Sequence, residues 1–179
     1  MAMIADTADV SAPTVFNYFG SKDNLLNSLI FEEARKTRKR WAELPVDKDA
    51  PLAQSLTRFL GEVSENTIKI AAKRVWRYAE SSIIRRPNTE FEQKFTELDD
   101  EMIAALARFL AARDLKMRAG TLPDPTFLAR MFFDRWTAHY LLFIKQDTLS
   151  LARHIKDLRA DIDLMCALLF IDNPQTATA

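Results

Sequence analysis

The chain has 179 residues, 48% of them hydrophobic and 28% charged, an ordinary balance for one helical domain or two small ones sharing a core. Its 25 Lys and Arg balance 25 Asp and Glu, and a formal net charge of zero argues against a nonspecific nucleic-acid coat protein. Three glycines (Gly20, Gly61 and Gly120) exclude a Gly-rich phosphate loop and leave little hairpin chemistry, so the fold class reads as all-α. One cysteine, Cys166, permits no intrachain disulfide; no run of about 18 apolar residues marks a membrane span, and no signal peptide opens the chain. The expectation is a cytoplasmic protein without a membrane partner.

Residues 3–9 and 12–19 read as two short helices joined by a tight turn. Ile4, Ala5 and Ala8 form a small-residue face that a second helix can approach closely, and Val10 plugs the turn. Ser11 is a good N-cap and Pro13 falls in the first turn, where a missing N–H costs little. Val15, Phe19 and Phe16 give the second helix an apolar side, and Thr14, Asn17 and Tyr18 a polar one. A capped helix with a polar outer face suits the DNA major groove, where side chains read base edges and the helix start meets phosphate. From spacing alone, two short helices in an ordinary bundle fit equally well.

This stretch resembles the DNA-binding head of the TetR family of transcriptional regulators. The family pattern is roughly I-A-x-x-A-G-V-S-x-x-T-x-Y-x-Y/H-F-x-S/T-K-x-x-L. Here it reads Ile4-Ala5-Asp6-Thr7-Ala8-Asp9-Val10-Ser11, then Thr14 to Phe19, then Ser21-Lys22 and Leu25-Leu26. Asp9 stands where the family has a turn glycine; Asp visits the left-handed region more readily than most residues. Phe16 replaces a tyrosine and its hydroxyl. The family also carries a helix ahead of Ile4, and only three residues precede Ile4 here, so residues 1–44 read as a head truncated at its N-terminus. The resemblance implies DNA contacts by Ser11, Ala12, Pro13, Thr14, Phe16, Asn17, Tyr18 and Lys22. Asn17 is the expected base reader, since an amide pairs bidentately with adenine, and Lys22 the expected phosphate contact.

Ser21 caps a third helix, with Asp23 complementing the dipole, Leu25, Leu26, Leu29, Ile30 and Ala34 as its apolar face, and basic Arg35 to Arg40 near its end. Residues 41–51, with two prolines, read as the loop between the head and a body over 45–179. Leu52, Leu56, Phe59, Leu60 and Val63 mark one body helix, slightly weakened by Gly61. Ile68, Ala71, Ala72, Val75, Trp76 and Ala79 mark another, continuous with it or kinked near Asn66. Arg85-Arg86-Pro87-Asn88 is a stop. Residues 90–113 form a long amphipathic helix, residues 117–125 a loop, and residues 127–145 a helix apolar around most of its circumference. Residues 151–170 carry an apolar stripe, and a polar tail follows residue 172.

A helix apolar on two sides must be covered twice. The resemblance supplies one cover: the last two helices pair with those of a second chain, with Phe132, Leu151, Ile155, Leu158, Ile162, Met165 and Leu169 at the homodimer interface. Two recognition helices then sit about 34 Å or more apart, as a palindromic operator in double-stranded DNA requires. Aromatic stripes at helical spacing are more often core than pocket. The resemblance nevertheless implies an effector cavity among Phe59, Trp76, Phe95, Met102, Phe109, Phe133, Trp136 and Tyr140, centred on Trp76, Phe95, Met102 and Trp136.

His139 and His154 lie on different helices without partners at ligand spacing, so no metal is expected and both read as interface or surface residues. Cys166 reads as a small buried one. No nucleophile motif or carboxylate pair stands out, so the chain is not read as an enzyme, and no cofactor is implied. The resulting reading is a repressor released from a palindromic operator by a small, largely apolar effector. The alternative is a helical dimeric small-molecule or protein-binding module that does not bind DNA in this truncated form. A weaker third is an all-α enzyme using the body cavity.

Overall fold

The computed structural model describes all residues except 23, 27, 34–49, 88, 122–123 and 172–179. Expectations for Asp23, Ala34, the basic run to Arg40, the loop around the 44/45 boundary, Asn88, Pro123 and the tail fall outside the described residues. The described chain is all-α. Helices α1 (Ala2–Thr7) and α2 (Ala12–Phe19) are followed by α3, helical at 22, 24–26 and 28–33. The body comprises α4 (Leu52–Ile70), α5 (Lys73–Arg85), α6 (Glu90–Ala111), α7 (Pro125–Lys145) and α8 (Leu151–Leu169). No strand occurs among the described residues; an isolated antiparallel bridge, Met117 to Phe170, ties the α6–α7 loop to the end of α8.

The helix starts follow local chemistry. Asp124 accepts from the Thr126 and Phe127 N–H groups ahead of Pro125, Thr89 accepts from Glu92 N–H, and Ser150 from Arg153 N–H. Each satisfies a donor that the first helical turn leaves open. The far end of α7 is closed by α5: Lys73 Nζ donates to the carbonyls of Gln146 (2.7 Å) and Leu149 (2.6 Å), and Arg77 to that of Ile144 (2.6 Å). Cations there also complement the negative end of the helix dipole.

α7 is the central element and packs on α4, α5, α6 and α8. Phe132, Phe133, Trp136, Tyr140, Phe143 and Ile144 are all buried along it. α8 lies against α4 as well as α7. Leu26 and Ile30 bring α3 into the same core, and Phe31 meets Phe95 of α6 edge-to-face at 6.2 Å.

Three expectations are corrected by this packing. The break between the first two body helices falls at Ala71–Ala72 rather than near Asn66. Both alanines are extended, and the Trp76 indole N–H donates to the carbonyls of Thr67 (2.9 Å) and Ala71 (3.1 Å), so a tertiary contact satisfies the broken ladder without Pro or Gly. Phe132, Leu158 and Ile162, expected at the dimer interface, are each 0% exposed within one chain, because the α8 stripe faces α4 and α7. Leu151, Ile155, Met165 and Leu169 are half-buried; the apolar side chains turned outward on these two helices are Phe127, Leu142, Leu164 and Leu168. His154 is a core residue, 1% exposed: its Nε2 lies 2.8 Å from Ser64 Oγ, which also accepts from the Trp136 indole at 2.9 Å. His139 is half-buried and bonds Asp161 at 2.6 Å.

Gly61 lies inside α4, and a Cβ built there would meet only Ile155 carbons at 3.7–3.8 Å, ordinary contact. Gly61→Ala should therefore raise stability by about 0.5–1 kcal/mol through helix propensity alone. Urea unfolding checks this: the midpoint rises with an unchanged m-value, and a fall would mean that α4 and α8 are packed closer than these distances imply.

Candidate functional site

Two features stand apart from plain packing: the outer face of α2 and a cavity in the body. Ser11 Oγ accepts from Thr14 N–H at 3.2 Å and sits 2.7 Å from Thr14 Oγ1, fixing the start of α2. Asp9 has φ +53°, the only positive φ among the described non-glycine residues, and it makes the turn from α1. Gly20, at φ +70°, ends α2, its N–H donating to Phe16 O at 2.7 Å. Ala5 and Val15 close the head's inner face. Thr14, Asn17 and Tyr18 point to solvent, Tyr18 with 83% of its surface exposed. Phe16 and Val10 are corrections: 58% and 44% exposed, they do not seal the helix pair, because α2 offers its inner face mainly through Val15.

Lys22, the first described helical residue of α3, does not simply extend into water. Its Nζ sits 4.1 Å from the ring centroid of Tyr78 on α5, a cation–π contact between the head and the body.

The body carries a partly open cavity of about 400 Å³ lined by α3, α4, α5, α6 and α7. That volume suits a drug-sized molecule. Trp76, Phe95, Met102, Trp136 and Tyr140 line it, including all four residues at the centre of the sequence expectation; Phe59, Phe109 and Phe133 are not in its lining. Its aromatic wall is ordered: Trp136 stacks on Tyr140 at 5.2 Å, and Trp76 meets Tyr140 and Phe95 edge-on at 6.5 and 6.4 Å. Ile30 of α3 supplies part of the wall.

Sequence reasoning missed the polar half of this lining. Glu80 and Asp99 face the cavity with Asn66, Thr67 and Thr137. Burial raises the Glu80 carboxyl above its ordinary range. Asp99 is pushed up to about 7, first by burial, then by Glu80 and Asp100, with Arg130 opposing. Tyr140 is held neutral by burial and by the same two carboxylates. Both acids sit on otherwise amphipathic helices, where a single carboxylate reads as surface; their spacing carried no signal.

The histidines offer no competing site. Burial, then His139 and Lys73, lowers His154 to about 4, so it is neutral and stacked on Phe143 at 4.6 Å. Cys166 is half-buried and its thiol is pushed up to about 12 by burial, which leaves it inert as a nucleophile. No cluster of three metal-ligating side chains occurs among the described residues, and no described helix is long and apolar enough to cross a membrane.

Residues 1–29 match the family of bacterial regulatory proteins, tetR family. In this segment, under a fifth of the chain, the head is similar to that family. Comparison of the chain with curated proteins and with solved structures gives no match. The tetR-type segment thus covers α1, α2 and most of described α3, and the polar face of α2 lies within it.

In this tetR-type head Asp9 occupies a left-handed turn that an L side chain enters at a cost of about 1 kcal/mol. Asp9→Gly should remove that cost and slow hydrogen exchange of the α1 and α2 amides. Asp9→Val should speed it, since a β-branched side chain tolerates positive φ worst. Equal protection in all three proteins would contradict a strained turn.

Proposed function

We propose that the chain is a ligand-responsive transcriptional repressor, acting as a homodimer on a palindromic operator through residues 1–44 and sensing a small molecule through residues 45–179. One observation carries the reading. α3 follows the exposed face of α2 directly, and its Ile30 is also a wall of the cavity. A molecule filling the cavity therefore touches the helix that carries the head.

In the DNA-bound state Asn17 reads a base edge, Ser11, Thr14 and Tyr18 flank it, Ala12, Pro13 and Phe16 make apolar contacts, and Lys22 meets phosphate. Lys22 faces two partners, phosphate and Tyr78, and Tyr78 sits on the helix whose Trp76, Glu80 and Ile83 face the cavity. An effector that prefers one position of α5 thereby alters the head; it must bind the two states unequally to do so. The outward Phe127, Leu142, Leu164 and Leu168 support a dimer through α7 and α8, since exposed apolar side chains on two neighbouring helices favour a second copy of the same face.

Fluorescence anisotropy with duplexes from the DNA flanking the gene tests this. Affinity should fall steeply with salt, as counterions are released. Lys22→Ala should weaken all duplexes by a similar factor and reduce the salt slope by about 1, while Asn17→Ala should also lower the ratio of specific to random binding. Failure of the unaltered chain to bind any duplex at low salt would sink the DNA-binding role and favour a helical binding module built around the cavity.

A further inference from the structure

The cavity's chemistry specifies more than a small apolar molecule. Its lining includes Glu80, Glu92, Asp99 and Glu101 against one basic residue, Arg108. Glu92 accepts from Thr96 at 3.1 Å and so has a use within α6. Glu80 and Asp99 have no ion-pair partner among the described residues, and the nearby Arg130 is paired with Asp100 at 3.4 Å. Two partly buried carboxylates with no direct ion pair, Arg130 acting on Asp99 only at a distance, are costly, because burial removes water from the charged form and low dielectric sharpens their mutual repulsion.

The same space is lined by aromatic side chains. Trp76, Trp136 and Tyr140 form a continuous aromatic surface on the side provided by α5 and α7. Aromatic faces attract cations and flat rings alike, and the attraction strengthens once the cation is out of water. Carboxylates and π faces together leave an unfilled requirement for one positive charge attached to an apolar body. A neutral apolar ligand would leave both acids unpaired in a drier site; an anion would be repelled by them.

We propose that the effector is an organic cation, an ammonium or related centre on an aromatic or aliphatic body, with its charge held by Glu80 and Asp99 and its body against Trp76, Trp136 and Tyr140. The inference rests on the reading of the cavity as an effector site, and it replaces the largely apolar effector with a charged one. It has a consequence in proton uptake. Asp99, pushed up to about 7, faces Glu80 on α5, Asp100 beside it on α6, and Arg130 on α7. A cation favours its ionised form, so binding releases protons near pH 7 and tightens as pH rises through that value.

Isothermal titration of the whole chain with three matched probes tests the idea: naphthylmethyl-trimethylammonium, its neutral carbon isostere bearing a neopentyl group, and naphthylacetate. The cation should bind at least about tenfold tighter than the isostere, comparable to one good charge contact, and naphthylacetate should bind weakest. The double variant Glu80→Gln, Asp99→Asn should lose that advantage while keeping or improving its affinity for the isostere. Repeating the cation titration at pH 7 in buffers of different ionisation enthalpy should reveal proton release that the double variant lacks. Thermal unfolding verifies that the variant is folded, and its stability at pH 8 should equal or exceed that of the parent, because two buried charges are gone. Tighter binding of the isostere than of the cation overturns the proposal and leaves an apolar effector site. Binding of none of the three overturns both the cation and the cavity as a sensor.

Discussion

The side chains of α7 must leave water on nearly every side at once, and most of the structure follows from that. Phe132, Phe133, Trp136, Tyr140, Phe143 and Ile144 cannot be covered by one neighbour, so α4, α5, α6 and α8 all pack on this helix. Each such side chain contributes about 1.5–3 kcal/mol when fully buried, enough to outweigh most local preferences of the helices around it. The surrounding polar groups are then arranged to avoid penalties. The indole N–H of Trp136, sealed within the body, reaches Ser64, and Ser64 meets His154. The carbonyls at the end of α7 are met by Lys73 and Arg77. Leaving one such donor or acceptor unpaired in the core would cost about 1–3 kcal/mol.

The cavity is the complement of this crowding. α4 stops at Ile70, the extended pair Ala71–Ala72 turns the chain, and α5 lies on α7. Ile30 from the head's third helix lines part of the space among α4, α5, α6 and α7. A lining that combines carboxylates, Asn66 and hydroxyls with aromatic side chains is polar enough to hold water. The polar residues that let the cavity hold water are the ones that give it selectivity. Displacing that water is worthwhile only for a molecule that replaces what the carboxylates lose.

Much of the fold was legible because its signals are local. Ser11 and Pro13 start α2, acting within four residues of themselves, whereas Asp124-Pro125 starts α7 two residues before the expected 127, because a proline read as a loop breaker sits in the first helical turn. What was not legible depends on partners distant in sequence. The α4–α5 break has no Pro or Gly, and the indole of Trp76 closes it from outside the broken turn. The stripe of Leu158 and Ile162 was visible, but periodicity names a buried face without naming the neighbour, and the neighbour is α4 of the same chain rather than a second copy. His154 looked like a surface residue because Ser64 lies 90 positions away. The aromatic side of the cavity, at Trp76, Phe95, Met102 and Trp136, was expected from the family resemblance and not from spacing, which fits a plain core as well. Its acidic half could not be read, because Glu80 and Asp99 look like surface carboxylates until α5 and α6 are brought onto the same cavity.

The link from the cavity to the head has a magnitude that decides which contacts matter. The Lys22–Tyr78 contact involves an exposed lysine and is worth about 0.5–1 kcal/mol, a two- to fivefold bias at most. Regulation between sites commonly needs about 1–3 kcal/mol of coupling. The lysine alone therefore cannot carry the proposed response. The larger lever is α3 itself: Leu26 and Ile30 are buried in the body core, and Phe31 rests on Phe95, a cavity residue. A ligand that moves Phe95 or occupies the space beside Ile30 must displace a helix anchored by apolar contacts. In the proposed response that displacement would reach α2 through the short Gly20-Ser21 connection between the two helices. Under the same proposal the Lys22–Tyr78 contact would be a detail of that motion, releasing or retaining one cation for phosphate.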